Sequence, residues 1–363
     1  MRIAVLGGGN GSFAAAADMA LAGHDVRMWR HSPVAAREHD AAGRRIVMKD
    51  AQGRHEAILS SVTSDIGEAV KDVGLILCLT PATAHDDIAR VLAPHLSPGQ
   101  VIFLPPGTLG TLVFATAAQA IGTAQGVSFA ETGTLPWLAR KHGAYEVAVT
   151  TRAVRLPTGV FPLIGGERAL ARIGQAFPEV IEPCGDVLSA ALMNAGPIIH
   201  PPVITMNAGP LEHFDRWDIH NEGTQPSTRR VTDALDQERI AIREALGYQA
   251  PHFPLADHYR DDGDGWMYAR HGHADLTSSG DWRERIYLTA HRYMLEDVRL
   301  GLSLMVSVAD LAGVDAPLAR SFLTIGQTIC ATDFMAEGRT LSRLGLSDLN
   351  RVQLQQFLHA GFA

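Results

Sequence analysis

The chain has 363 residues, 46% hydrophobic and 19% charged, which describes a globular protein of about two domains and excludes a disordered or fibrous one. Its formal net charge of −8 lacks the basic excess that nucleic acid or an anionic membrane demands, so a small-molecule partner is expected. No apolar run approaches the roughly 18 residues of a membrane span, and Met1-Arg2 leads into a strand instead of a signal peptide, so the expected location is cytoplasmic.

In chain order, the first half alternates short β-branched runs with segments of helical period, the pattern of a doubly wound parallel sheet. Strands are predicted at 3–6, 26–29, 75–79, 101–104, 127–130 and 147–150, and the run at 75–79 is continuously apolar, as for a central strand covered on both faces. An Ala-rich helix at 13–22, stopped by Gly23, separates the first two. Beyond about Cys184, long helix-period segments replace strands, at 186–193, 228–246, 282–311 and 316–330. The predicted organisation is therefore a Rossmann-type α/β domain over 1–185 followed by an all-α substrate domain over 186–363. The apolar length of 228–246 and 282–311 suggests a homodimer. The stretch 251–280, rich in Pro, Gly, Asp and His, is predicted to be a long loop.

Gly7-Gly8-Gly9-Asn10-Gly11-Ser12 lies directly between the first strand and the Ala-rich helix. This is a dinucleotide fingerprint: Gly7 makes the tight turn, Gly9 admits the pyrophosphate to the backbone, and Ser12 takes the third small position. At the end of the second strand, where NAD enzymes place an acid on the ribose, the chain reads Met28-Trp29-Arg30-His31-Ser32. Arg30 suits a 2′-phosphate and Ser32 adds a hydrogen bond, so NADP is the expected cofactor, with NAD as the alternative in which Arg30 is a solvated surface residue.

Cys78, Cys184 and Cys330 are far apart and form no CxxC pair, which fits reduced thiols. The Asp261-Asp262-Gly263-Asp264-Gly265 run lacks the closing Glu of a calcium loop, and neither it nor His252, His258, His271 and His273 is read as a metal site. Lysine occurs at 49, 71 and 141 and nowhere beyond, which excludes a lysine mechanism in the second half.

Six segments in order resemble the octopine/nopaline (opine) dehydrogenase family. They are the loop at 8–11 and Thr80-Pro81, then Pro105-Pro106-Gly107-Thr108, then Glu131-Thr132-Gly133-Thr134-Leu135-Pro136-Trp137-Leu138-Ala139-Arg140, and last Asn194-Ala195-Gly196-Pro197-Ile198-Ile199-His200-Pro201 with Arg292-Tyr293-Met294-Leu295-Glu296-Asp297-Val298. The resemblance implies an oxidoreductase that joins the amine of an amino acid to a 2-oxo acid and reduces the imine with NAD(P)H. It implies a 6-phosphogluconate dehydrogenase-like helical domain, with Thr80 and Pro81 beside the cofactor. It also implies His200 as proton shuttle, Asp297 as its partner and Arg292 as a carboxylate anchor. Glu131, Thr132, Asn194 and Trp137 are implied around the substrate, although a strand-end hydrogen bond explains Glu131 and Thr132 equally well. Read without the family, Arg292 and Asp297 are solvated charges about 140° apart on a continuous α-helix, with Arg292 paired to Glu296. Ketopantoate- and glycerol-3-phosphate-type reductases have similar first halves but imply a lysine on the second domain, where this chain has none. A non-catalytic NADP sensor is the remaining alternative.

Overall fold

The computed structural model describes residues 1–260, 265–268 and 272–362. The chain divides into two units, Met1–Ala191 with the residues from Leu358 on, and Leu192–Phe357. The expected boundary at 185 moves because the helix Val187–Ala191 packs on the main sheet of the first unit. The chain end joins that unit too, where the Phe362 ring meets Phe161 edge-on.

The strands of the first unit are β1 (Arg2–Leu6), β2 (Asp25–Trp29), β3 (Arg45–Asp50), β4 (Gly53–Ile58), β5 (Ser61–Thr63), β6 (Leu75–Cys78), β7 (Val101–Leu104), β8 (Ser128–Thr132), β9 (Trp137–Lys141), β10 (Glu146–Arg152), β11 (Leu156–Phe161) and β12 (Ile181–Asp186). Eight of them form one sheet in the order β12-β11-β8-β7-β6-β1-β2-β5, parallel except where β11 meets β8. Every residue of β6 and β7 is buried, which is why their sequences run apolar without alternation. Strand order reverses at β1, between β2 and β6, so the binding crevice of such a sheet lies beyond the carboxyl ends of these strands.

The predicted strand at 147–150 exists but belongs elsewhere. It lies in β10, within a separate four-stranded sheet ordered β4-β3-β10-β9 that the sequence pattern had not revealed. Asp18, on helix α1 (Asn10–Leu21), fastens this sheet down. Its carboxylate accepts hydrogen bonds from Trp137 Nε1 at 2.6 Å and Arg152 Nη2 at 2.8 Å, and Arg152 also reaches Asp50 at 2.8 Å. The end of β9 is thereby held at the glycine loop, where Lys141 N donates to Asn10 Oδ1.

The second unit is mainly helical, with a short antiparallel ribbon pairing Trp217–Asp218 with Arg283–Glu284. Its helices include Gly196–Met206, Pro226–Ala245, Ser303–Ala312 and Pro317–Cys330. The expected single helix over 282–311 is replaced by the ribbon strand, turns, a π-helix at Tyr293–Leu302 and an α-helix only from Ser303. The expected loop carries structure as well, a 3₁₀ turn at Leu255–Tyr259 and a helix at Gly272–Ser278. Asp261–Asp264 and His271 lie outside the described residues. One helical stretch, Val187–Met206, is long and apolar enough to cross a membrane despite its interruptions; 83% of its window is buried, as in a core helix.

Candidate active site

In the first unit, Gly7 adopts φ +112°, and a Cβ there would sit 2.7 Å from Ser12 Oγ and 2.9 Å from Thr80 Cγ2, so the turn admits no side chain. Gly9 opens α1 with no side-chain cap, leaving the first-turn N–H groups for a ligand, and a Cβ at Gly9 would meet nothing within 4 Å. Ser12 is fully buried and its hydroxyl lies 3.1 Å from the Leu6 carbonyl and 3.2 Å from that of Leu79, so it joins helix to sheet and does not face a ligand. Gly11 packs against Leu79 in the same way. Asn10 accepts the Lys141 backbone N–H at 3.0 Å. Ser32 caps the helix Pro33–Ala41 by accepting from Ala35 N, Thr80 Oγ1 lies 3.3 Å from Cys78 Sγ, and Pro81 is exposed at the start of the next turn.

Arg30 stands over the Phe13 ring, with its Cζ 5.2 Å from the centroid, and its Nη1 is buried without a hydrogen-bond partner. Lys141, from the end of β9, places Nζ 3.7 Å from the same centroid and 3.5 Å from the Gly8 carbonyl. Burial lowers the pKa of both, and the charge of Arg30 lowers that of Lys141 further. The open backbone at Gly9, the uncapped helix start and an unsatisfied guanidinium nitrogen fit a phosphate-bearing dinucleotide.

Three residues expected around the substrate are buried and engaged within their own unit. Glu131 is fully buried, and its carboxylate accepts from Leu109 N at 2.8 Å, Thr111 N at 3.3 Å and Thr111 Oγ1 at 2.6 Å. It fixes the start of the helix Gly110–Ala120, where Thr108 and Leu109 both take positive φ, and supplies the negative charge that a helix N-terminus favours. Thr132 donates to the Pro157 carbonyl at 2.7 Å, a strand-end bond. Trp137 is 2% exposed, tied to Asp18 and packed on Phe177, so its ring is part of the core of this unit.

In the second unit, His200 projects from the helix Gly196–Met206, and its Nδ1 lies 2.7 Å from Asp297 Oδ2. Both side chains are mostly buried, at 15% and 13% exposure. The π-helix explains how Arg292 and Asp297 approach. Its i→i+5 bonding brings residues five apart to one side, whereas an α-helix separates them by about 140°. Burial raises the Asp297 pKa to about 7, against the opposing pull of Arg292. Arg292 itself is exposed; nearby protein disfavours its charge, but Tyr293, Glu296 and Asp297 together hold its pKa above the ordinary value.

Asn194 Oδ1 accepts Gly196 N at 3.0 Å, shaping the turn that begins the His200 helix. A Cβ on Gly196 would collide with Asp297 Oδ1, so only glycine lets the carboxylate reach this helix. Just upstream, Arg239 donates to the Leu192 carbonyl at 2.9 Å and pairs with Asp236 at 2.6 Å in a fully buried bridge.

Two residues that sequence reasoning missed complete this cluster. The Tyr293 ring stacks on His200 with centroids 3.6 Å apart, and its hydroxyl lies 2.8 Å from His220 Nε2. Tyr293 stands beside Arg292 in a segment already singled out, but no spacing rule marks a stacking partner. His220 also lines a pocket of about 410 Å³ with Thr224, Gln225, Arg229, His258 and His273, a mostly polar wall. Burial drives the His258 pKa down to about 3, so this histidine is neutral there and Arg229 carries the positive charge.

Against known proteins, residues 183–330 match the model for the α-helical domain of NAD/NADP octopine/nopaline dehydrogenase. An opine dehydrogenase from Arthrobacter sp. (strain 1C) is 32% identical over 360 residues, 95% of each chain. Among solved structures, an octopine dehydrogenase in complex with NADH and agmatine covers 100% of this chain and 99% of its own at TM-score 0.76 and 19% identity. A yersinopine dehydrogenase with NADP+ bound covers 99% of this chain and 98% of its own at TM-score 0.68 and 14% identity.

Proposed function

The chain belongs to the opine dehydrogenase family of NAD(P)-dependent oxidoreductases, and from that premise we propose that it condenses an amino acid with a 2-oxo acid and reduces the product with NADPH. The amine displaces the carbonyl oxygen as water, giving an imine. The imine carbon accepts a hydride and the nitrogen a proton, giving a secondary amine. The bound nicotinamide supplies the hydride. The observation that carries this reading is the His200–Asp297 pair at 2.7 Å with Arg292 brought to the same side by the π-helix.

In this reading Nδ1 of His200 is committed to Asp297, so proton exchange with the substrate runs through Nε2. Arg292 presents a guanidinium fork to a carboxylate. Tyr293 holds the imidazole plane by stacking, and the polar pocket beyond His220 favours a polar or anionic side chain on the amino donor. Asn194 acts by shaping the turn ahead of His200.

The test is to follow NADPH oxidation with a panel of amino acids and 2-oxo acids, each alone and in pairs. Oxidation that requires both partners, fastest with polar or acidic amino donors, is the expected result. Oxidation with the 2-oxo acid alone would assign a simple carbonyl reductase instead.

Cofactor choice follows from Arg30, which stands where NAD enzymes carry an acid. Titration with both dinucleotides is expected to show tighter binding of NADPH than NADH, and Arg30→Asp should abolish or reverse that preference. Equal binding in the parent protein would refute the NADPH reading.

A further inference from the structure

Arg30 and Lys141 reach one place from separate elements. Arg30 follows β2 in the main sheet, and Lys141 ends β9 in the small one. Both lie over the face of Phe13, at 5.2 Å and 3.7 Å from its centroid. Beneath them the rings of Phe13, His39 and Tyr145 stack in a column, with centroids 5.6 Å and 4.5 Å apart. Lys141 is further fixed by its backbone bond to Asn10, with Nζ beside the Gly8 carbonyl. Among the described residues neither cation is paired with a carboxylate, and one nitrogen of Arg30 is buried without a partner.

Two like charges held over one ring repel, and an aromatic face returns only about 0.5–2 kcal/mol to each. A ligand carrying about two negative charges reverses the balance. A phosphate monoester carries ≈ −1.5 to −2 at neutral pH, whereas each phosphate of a pyrophosphate diester carries one charge and is served by the start of α1.

We propose that Lys141 is a second cation for the 2′-phosphate of NADPH, closing with Arg30 a clamp for a phosphate monoester dianion. Lys141 is a specificity-determining residue in this account, and the inference rests on the NADPH preference proposed above. Two independent elements must be in register for the clamp to form. The Asp18 ties to Trp137 and Arg152 provide that register.

The test is equilibrium binding of NADPH and NADH to the full chain, followed by quenching of protein fluorescence, for the parent, Lys141→Ala and Lys141→Arg. Lys141→Ala is expected to lose about tenfold or more of its affinity for NADPH relative to NADH. Lys141→Arg should retain most of the preference, and melting temperatures report whether each variant is folded. An equal loss for both dinucleotides would place Lys141 on the pyrophosphate and overturn the proposal, as would no loss at all. If the parent shows no NADPH preference, the cofactor reading itself fails. If the parent prefers NADPH and Arg30→Asp abolishes that preference while Lys141→Ala does not, the clamp alone fails.

Discussion

Replacing His200 by alanine is expected to lower kcat by about 10²–10⁴-fold, the usual contribution of a positioned general acid–base group. Dinucleotide affinity should persist, because the glycine loop, Arg30 and Lys141 belong to the other unit. The variant also removes the ring on which Tyr293 stacks, so some loss of stability accompanies the loss of rate. His200→Gln separates the two effects. It restores bulk and a polar end without a titratable nitrogen, and should recover the melting temperature but not the turnover. Parent-like turnover in both variants would remove the chemical basis of the assignment.

Asp297→Asn should produce the second large effect, and its sign follows from the geometry. The carboxylate oxygen 2.7 Å from Nδ1 favours the imidazolium form, and asparagine keeps a hydrogen bond while removing that charge. Reduction of the imine consumes a proton from the pair, so its rate falls as pH rises through the pair's apparent pKa. The variant should therefore lose activity about one unit or more lower in pH, with kcat at neutral pH down by roughly tenfold or more. A purely structural aspartate would lower activity without moving the profile. Stability gives an independent reading. Because burial lifts the folded-state pKa of Asp297 to about 7 from an unfolded value near 3.8, the stability contributed by its protonated form is complete below about pH 4 and lost as pH rises through 7. Asparagine cannot ionise, so the melting temperature of the variant should gain on that of the parent between pH 5 and 8.

The main sheet was legible in the sequence because parallel strands buried on both faces leave unbroken apolar runs, as at Leu75–Cys78. The small sheet was not. Its strands Arg45–Asp50 and Gly53–Ile58 form a hairpin that carries charged residues on an exposed face, and the next strand of the sheet, which pairs with Arg45–Asp50, lies about a hundred residues later. The glycine loop could be read because a phosphate turn imposes a local spacing. Lys141 could not, since its place beside that loop depends on Asp18 holding β9 against α1.

The substrate residues divide along the same line. His200, Asp297 and Arg292 were reachable through the family resemblance, but a 3.6-residue period set Arg292 and Asp297 apart, and only the π-helix brings them together. Glu131, Thr132 and Trp137 sit in a segment that matches the family, yet their side chains satisfy a loop, a strand end and a helix of their own unit. Sequence order does not say which polar side chains the surrounding backbone consumes.

The most direct test of the central claim is the fate of the transferred hydrogen. The protein would be supplied with NADPH deuterated at the transferable nicotinamide position, an amino acid and a 2-oxo acid, and the product analysed by mass spectrometry and NMR. The expected product is a secondary amine joining both substrates, with one deuterium on the former carbonyl carbon of the 2-oxo acid. Deuterium recovered only in a 2-hydroxy acid, with the amino acid unchanged, would contradict the claim.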